Sequence, residues 1–192
     1  MRTDSPEEAA KALRDGGIAL VPTETVVGLA AAESGLPRIR DIKGRDADKP
    51  VALLCASDEE AFSLAADVPP LAWRLADRYW PGALTLVLDS PDGRTVGVRV
   101  PAGRVVRELL AAYGGPLFAT SANVSGEPAP KELGEVDPRI LEVVDLIVVG
   151  EPGSGEASAV VDLSGGRVRL LRGTQELSEE ELARVAVGGE RH

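Results

Sequence analysis

The chain has 192 residues with 44% hydrophobic content, enough for one core and too little for several domains. Its formal net charge of -10 excludes a surface that grips nucleic acid over its whole extent, although it leaves room for a local basic cleft. The only histidine is the last residue, His192, and the only cysteine is Cys55, which removes a Ser-His-Asp triad, a Cys-His pair, an internal disulfide and ordinary histidine-ligated zinc.

In chain order, Ser5 is a good N-cap, Pro6 suits the first helical position and Glu8 completes a capping box, so a helix is predicted to about Arg14, stopped by Gly16 and Gly17. Ile18 to Val21 read as a buried strand that breaks at Pro22. A short helix is predicted over Leu36 to Lys43, and "PVALLCAS", with Cys55 as a small core residue, is a second buried strand. Asp58 to Ala66 and Pro70 to Tyr79 look helical, with Trp73 and Trp80 as core or staple residues. "ALTLVLDS", the turn "PDGRT" and the alternating "VGVRVP" form a pair of strands, and Gly103 to Ala112 a helix. "PLFAT" and "EVVDLIVVG" hold further strands, "SAVVDL", "GG" and "RVRLLR" a hairpin, and "LSEEELARV" a capped terminal helix. The segment 150–158, "GEPGSGEAS", is the expected floppy region. Helices alternate with strands early and hairpins come late, which fits an α/β domain with a mixed sheet. The amino terminus has no apolar signal region, and no run reaches the roughly 20 apolar residues that span a bilayer. A soluble cytoplasmic protein of one domain, residues 1–192, without membrane partners is expected.

Several apolar strands end in a polar burst: "ALVPTET", "RVPAGR" and "LFATSANVSG". Ligands bind where strand ends meet loops in open α/β sheets, and Thr, Ser and Asn offer donors and acceptors without titrating. The same residues are also ordinary turn chemistry. Lys43, Arg45 and Lys49 are spaced for a loop that converges on phosphates, or for a solvated loop neutralised by Asp46 and Asp48. There is no Walker A pattern and no G-x-G-x-x-G. Arg99 lies opposite Val98 and Val100 on its strand, where it faces either solvent or a cleft in which it clamps a carboxylate.

The segments "PTETVVGLAA", "KGRDADKPVALL", "WPGALTLVL", "TVGVRVP", "TSANVSGEPAP", "SAVVD" and "LLRGTQELSEEEL" follow one another in this order. Together they closely resemble the YrdC-like family, the threonylcarbamoyl-AMP synthases, over roughly residues 5–187. The length matches the family's short form, without a carboxy-terminal domain. The resemblance implies a twisted, mixed parallel and antiparallel α/β sheet with helices around a basic cleft. It implies a nucleotidyltransferase that combines L-threonine, bicarbonate and ATP into threonylcarbamoyl-AMP and pyrophosphate. Partner proteins would move the threonylcarbamoyl group to adenosine 37 of tRNA, with at most a weak tRNA contact by this chain. Mg²⁺ would accompany ATP, and no permanently bound cofactor is expected.

Carried over by residue, Thr23, Arg99, Ala119 and Ser158 match threonine-binding positions, and Lys43, Arg45, Lys49, Thr95, Ser121, Asn123 and Arg172 match nucleotide-binding ones. Lys43 and Arg45 would neutralise charge in the reaction, and Ser121 and Asn123 would lie near Mg²⁺. The chain departs from the pattern at Val27, where relatives have Tyr or Phe that would wall the pocket, at Ala159, where Thr is frequent, and at Leu54, where some relatives are polar. Two other readings compete: a double-stranded RNA or tRNA-binding module without catalysis, and a carbamoyl-adenylate former with another acceptor, as in related domains of hydrogenase maturation proteins.

Overall fold

The computed structural model describes residues 1–43 and 51–188; Arg45 and Lys49 lie outside them. In chain order the elements are β1 (Arg2–Thr3), α1 (Pro6–Arg14), β2 (Ile18–Pro22), β3 (Val27–Ala31), α2 (Leu36–Lys43), β4 (Ala52–Leu54), α3 (Asp58–Ser63), α4 (Pro70–Tyr79), β5 (Leu84–Asp89) and β6 (Thr95–Arg99). They continue with α5 (Arg104–Tyr113), β7 (Leu117–Ser121), α6 (Pro138–Leu141), β8 (Leu146–Val148), β9 (Ala159–Asp162), β10 (Arg169–Arg172) and α7 (Glu179–Val187).

Local chemistry explains most of these boundaries. Ser5 Oγ accepts the Glu8 N–H at 3.2 Å, but Glu8 does not return the bond directly. Instead the Thr3 hydroxyl donates to Glu8 Oε2 at 2.6 Å and accepts the Ser5 N–H at 3.0 Å, so the capping box is completed through a relay. Ser57 and Ser178 cap α3 and α7 through the N–H groups of Glu60 and Glu181. Gly165 and Gly166, at φ 60° and 68°, turn the chain from β9 back into β10, which only residues without a Cβ do readily.

The ten strands of the described residues join one sheet in the order β1-β8-β2-β3-β7-β4-β6-β5-β9-β10. Pairs β1–β8, β2–β8, β4–β6 and β5–β9 are parallel; the other neighbours are antiparallel. The sheet is therefore mixed, as expected.

Its two halves are covered differently. On β2, Ala19 and Val21 pack with Ala10 and Leu13 of α1 and Leu109 of α5, while Ile18 and Leu20 pack with Ile39 of α2 and Ile140 of α6. Helices cover both faces, and every β2 residue is buried. In β4, β5, β6 and β9, Leu53, Leu86, Val98 and Val161 join one core with Phe62, Leu75 and Leu182 from α3, α4 and α7. The alternate residues of these strands turn to the opposite face, where among the described residues only Leu54 joins another core cluster, with Leu109 and Leu110 of α5.

Four expectations need correction. The strand Val27–Ala31 is absent from the sequence reading, because "VGLAA" is apolar throughout and carries no alternation. "PVALLCAS" supplies only the three residues of β4. The segment 150–158 is tied down: Gly153, Ser154 and Gly155 donate backbone N–H bonds to Lys131 O, Glu24 O and Thr25 O. Trp73 is 47% exposed and no core residue, and of the two readings it keeps only the staple, its ring 4.3 Å from that of Phe62, whereas Trp80 is partly buried and donates from its indole to Leu84 O. Cys55 is buried in the core as expected, where burial, with the nearby Glu60 charge, pushes its thiol up to about 12.

Leu86, fully buried at the centre of the one-sided core, sets the scale of that core's contribution. Leu86→Ala is expected to cost about 2–5 kcal/mol, whereas Val168→Ala at a half-exposed position should stay within about 0.5 kcal/mol. Urea unfolding midpoints at constant m-value check both.

Candidate active site

That opposite face holds a cavity of about 290 Å³. Its floor consists of the residues that alternate with the core: Ala52 and Leu54 of β4, Thr85 and Val87 of β5, Gly97 and Arg99 of β6, and Val160 of β9. Gly28 of β3 and Ala119 and Ser121 of β7 extend it. Ala52 pairs with Ala119, Val87 with Gly97 and Gly28 with Ser121 across neighbouring strands. Small side chains at these positions hollow the sheet surface. A Cβ at Gly97 would already touch Ala52 and the Thr85 methyl at 3.6 and 3.8 Å.

Arg99 reaches across this floor and is only 7% exposed. Its Nε donates to Gly82 O at 2.9 Å, and its Nη2 donates to Glu24 Oε1 at 2.6 Å and to Thr25 Oγ1 at 3.1 Å. Nη1 has no protein acceptor among the described residues. Of the two alternatives for Arg99, the structure selects the cleft. The other Glu24 oxygen accepts the Gly103 N–H at 2.9 Å. Burial alone would raise the Glu24 carboxyl, but the Arg99 charge and the amide of the Ala102–Gly103 peptide outweigh it and hold it below the usual carboxylate range.

Thr23 sits in the cavity wall, with its hydroxyl engaged inside its own turn. Oγ1 donates to Val26 O at 2.6 Å and accepts the N–H groups of Thr25 and Val26 at 3.2 Å. This fixes the β2–β3 turn, and the segment 153–155 packs on it so closely that a Cβ at Gly153 would lie 2.4 Å from Thr25 O.

Lys43 is neither on a solvated loop nor at an open rim. It is 1% exposed at the end of α2, and its ammonium donates to Ser121 O at 2.7 Å, Asn123 O at 2.5 Å and Asn123 Oδ1 at 2.7 Å. All three of these acceptors belong to the end of β7 and the loop that follows it. Asn123 Oδ1 also accepts the Ser121 hydroxyl at 2.5 Å, and Asn123 Nδ2 donates to Val124 O and Glu127 O. Lys43 thus organises the Ser121–Glu127 loop from beneath. Asn123 Oδ1 already faces an ammonium and a hydroxyl proton, whereas the Ser121 oxygen, which donates that proton, keeps its lone pairs for a ligand.

On the opposite wall, Ser158 Oγ lies 3.0 Å from Thr85 Oγ1, and Arg172 Nε donates to Ser158 O at 2.6 Å. Thr23, Arg99, Ala119, Ser121, Ser158 and Arg172 all line the one cavity. Thr95 is exposed and outside it, two residues beyond Gly97 on the same strand. The described lining carries two arginines, Arg99 and Arg172, and no carboxylate. Beside it lies a second hollow of about 280 Å³, shared at Thr25 and Ala157 and lined by Glu24, Glu156 and Glu176. Two of the three sequence departures do not touch the cavity: Val27 is fully buried against Leu20 and Ile39, and Ala159 is buried in the one-sided core. Val26 supplies the wall instead of Val27, and of the three departures Leu54 alone lines the cavity. Sequence reasoning missed Glu24, Thr25 and Thr85. "PTET" was the available signal: a carboxylate between two threonines beyond a buried strand.

A family model described as telomere recombination, for Sua5, YciO and YrdC domains, matches residues 11–174. Threonylcarbamoyl-AMP synthase of Pyrococcus abyssi is 38% identical over 177 residues, covering 85% of this chain and 52% of that protein. The chain thus spans about half that relative's length. The enzyme of the same name from Stenotrophomonas maltophilia is 32% identical over 177 residues, covering 84% of this chain and 95% of that one. Among solved structures, P. abyssi Sua5 complexed with L-threonine superposes with a TM-score of 0.86 at 35% identity, over 100% of this chain and 61% of that one.

Two expectations follow from the geometry. Lys43→Met should lose about 3 kcal/mol, because it leaves buried carbonyls without a donor, and hydrogen exchange should speed up selectively over residues 121–127. The lowered Glu24 carboxyl stabilises the fold fully above the ordinary glutamate range, and that stabilisation fades as pH falls through the lowered value. The melting-temperature gap between the native chain and Glu24→Gln should therefore be constant near neutral pH and shrink on acidification. A gap that does not change with pH would remove the Arg99–Glu24 pair as a source of acid sensitivity.

Proposed function

This chain belongs to the Sua5, YciO and YrdC family, and from that premise we propose that it is an L-threonylcarbamoyladenylate synthase acting on L-threonine, bicarbonate and Mg-ATP. The observation that carries the reading is Arg99: a buried guanidinium in the floor of a small, largely uncharged cavity, in a chain that superposes over its whole length on a relative holding L-threonine. Arg99 Nη1 donates to the threonine carboxylate. The hydroxyls of Thr25, Thr85 and Ser158 and the backbone of Ala119 supply short polar contacts around the amino acid, while Thr23 holds the turn that presents Thr25. A site that hydrogen-bonds the threonine hydroxyl rejects analogues lacking it, because its own polar groups would stay unpaired.

The neutral threonine amine adds to bicarbonate, forming a C–N bond and releasing water, to give a carbamate. A carbamate oxygen then attacks the α-phosphorus of ATP; the new O–P bond replaces the bond to the β-phosphate, and pyrophosphate leaves. The nucleophile belongs to the substrates, so the protein needs no covalent residue and no imidazole. Its contribution is positioning and charge stabilisation. Arg172 stands on the wall opposite the Ser121 loop, suited to the nucleotide. Lys43 acts by holding Ser121 and Asn123 in place. Arg45, Lys49 and Thr95 are assigned to the nucleotide on the family resemblance, and Mg²⁺ arrives with the phosphates of ATP. Threonylcarbamoyl-transfer proteins acting on tRNA are the proposed consumers of the product, in a cytoplasmic setting. Among the described residues no helix is long and apolar enough to cross a membrane. The acidic hollow of Glu24, Glu156 and Glu176 beside the cavity disfavours an RNA-binding module, since a phosphate-tracking surface is positive.

Pyrophosphate release from purified protein with Mg-ATP is expected to require both threonine and bicarbonate, and to be slower with serine. Arg99→Ala should raise the threonine KM about a hundredfold and move the ATP KM by less than about threefold. Release that ignores threonine or bicarbonate would exclude this reaction.

A further inference from the structure

A cleft that holds a nucleoside triphosphate and an amino acid together faces a sorting problem. Both ligands present anionic groups, and an exposed guanidinium prefers phosphate at least as strongly as carboxylate. Arg99 is not presented as a bare guanidinium. Glu24 Oε1 lies 2.6 Å from Nη2, and Thr25 Oγ1 takes the second Nη2 bond. Both two-pronged faces of a guanidinium, Nε with Nη2 and Nη1 with Nη2, include Nη2. Neither is open to a ligand, so an incoming anion meets Nη1 alone.

Nor can Glu24 swing aside freely. Its other oxygen is held by the Gly103 N–H at 2.9 Å, and its backbone carbonyl accepts the Ser154 N–H at 2.9 Å. A Cβ at Gly103 would come 3.0 Å from Glu24 N and 3.1 Å from Oε2, so the glycine lets the two segments meet. Glu156 and Glu176 add negative charge in the adjoining hollow, on the side of the cavity that Glu24 shares.

We propose that Glu24 is a specificity-determining residue: its fixed carboxylate blocks the two-pronged faces of Arg99 and repels phosphate-bearing groups, reserving Nη1 for one oxygen of a monocarboxylate. The inference rests on the reading that Arg99 receives the amino-acid carboxylate. It extends that reading from what Arg99 binds to what Arg99 is kept from binding. Glu24 acts through Arg99 and through charge, and takes no part in the bond-making steps.

Glu24→Gln removes the charge at nearly constant shape, and Glu24→Asp restores the charge on a shorter arm. Inorganic pyrophosphate and orthophosphate serve as probes, titrated without nucleotide, metal or amino acid and followed by calorimetry and by the Arg99 side-chain NMR signals. In the native chain the Arg99 signals should ignore both probes. In Glu24→Gln they should respond, with pyrophosphate binding tightened about tenfold or more, as loss of a unit charge within a few ångströms of an anion requires; Glu24→Asp should reverse most of the change. With L-threonine present, pyrophosphate should compete with it in Glu24→Gln and not in the native chain. Equal response of the Arg99 signals in native and Glu24→Gln proteins, both shown folded by their melting curves, would overturn the proposal. So would a gain of phosphate binding in Glu24→Gln that Arg99→Lys leaves undiminished in the double variant. A native chain that binds no threonine would defeat the functional reading alone, because the phosphate titration decides the Glu24 inference by itself.

Discussion

Everything about the cavity depends on one asymmetry in the sheet. Strand β2 is sealed on both faces by helices, whereas β4, β5, β6 and β9 share one core at one face, and among their described alternate residues only Leu54 joins another. Period-two alternation then forces the other side chains of those four strands into a hollow. Leu86 and Val98 stabilise the sheet; their neighbours Thr85, Val87, Gly97 and Arg99 line the cavity. Small residues across the floor let a ligand approach the sheet surface. A single rigid element thus carries groups from seven strands into one site, the arrangement that holds reacting molecules in register most economically.

Charge is distributed with equal restraint. Among the described residues, the buried cations of the site are anchored by protein oxygen. Lys43 is surrounded by acceptors of the Ser121–Asn123 loop, and Arg99 is bound by Gly82, Thr25 and Glu24. Isolated charges in such places would carry a large desolvation cost; paired and hydrogen-bonded ones are tolerated and hold fixed positions. The polar burst at the end of β7 is accordingly built as a structure in its own right, tied from below by a lysine and from the side by its own asparagine.

What the sequence revealed, and what it concealed, follows from distance along the chain. Helices α1 and α7 were legible because a cap and its partner lie three residues apart. Arg99 was legible as an intruder in an apolar alternation. Strand β3 was not, because a segment buried on both faces has no period to detect. The ties of Lys43 to Ser121 and Asn123 span 78 and 80 residues, and that of Arg99 to Glu24 spans 75. No local rule reaches so far, so Lys43 read as part of a loop and Glu24 as an unremarkable acid. The ordered family motifs gathered the right segments. They did not tell which groups face the cavity and which support it, as Val27 and Ala159 illustrate from inside the core.

The strand order has a consequence for how this chain comes into being. The parallel partner of the amino-terminal strands is β8: Arg2 lies beside Ile147, and Ala19 beside Leu146. Synthesis runs from the amino terminus, so Ile18–Pro22, among the most apolar stretches of the protein, leaves the ribosome long before the segment that closes its edge. The β5–β6 pair, by contrast, needs only its own turn. Loop closure over so many residues is slow, and an apolar strand with an open edge is what aggregates or recruits chaperones in the interval. Shortened chains ending before residue 146 keep that edge open permanently, which makes β8, three residues long and remote from the cavity, the latch of the nascent fold.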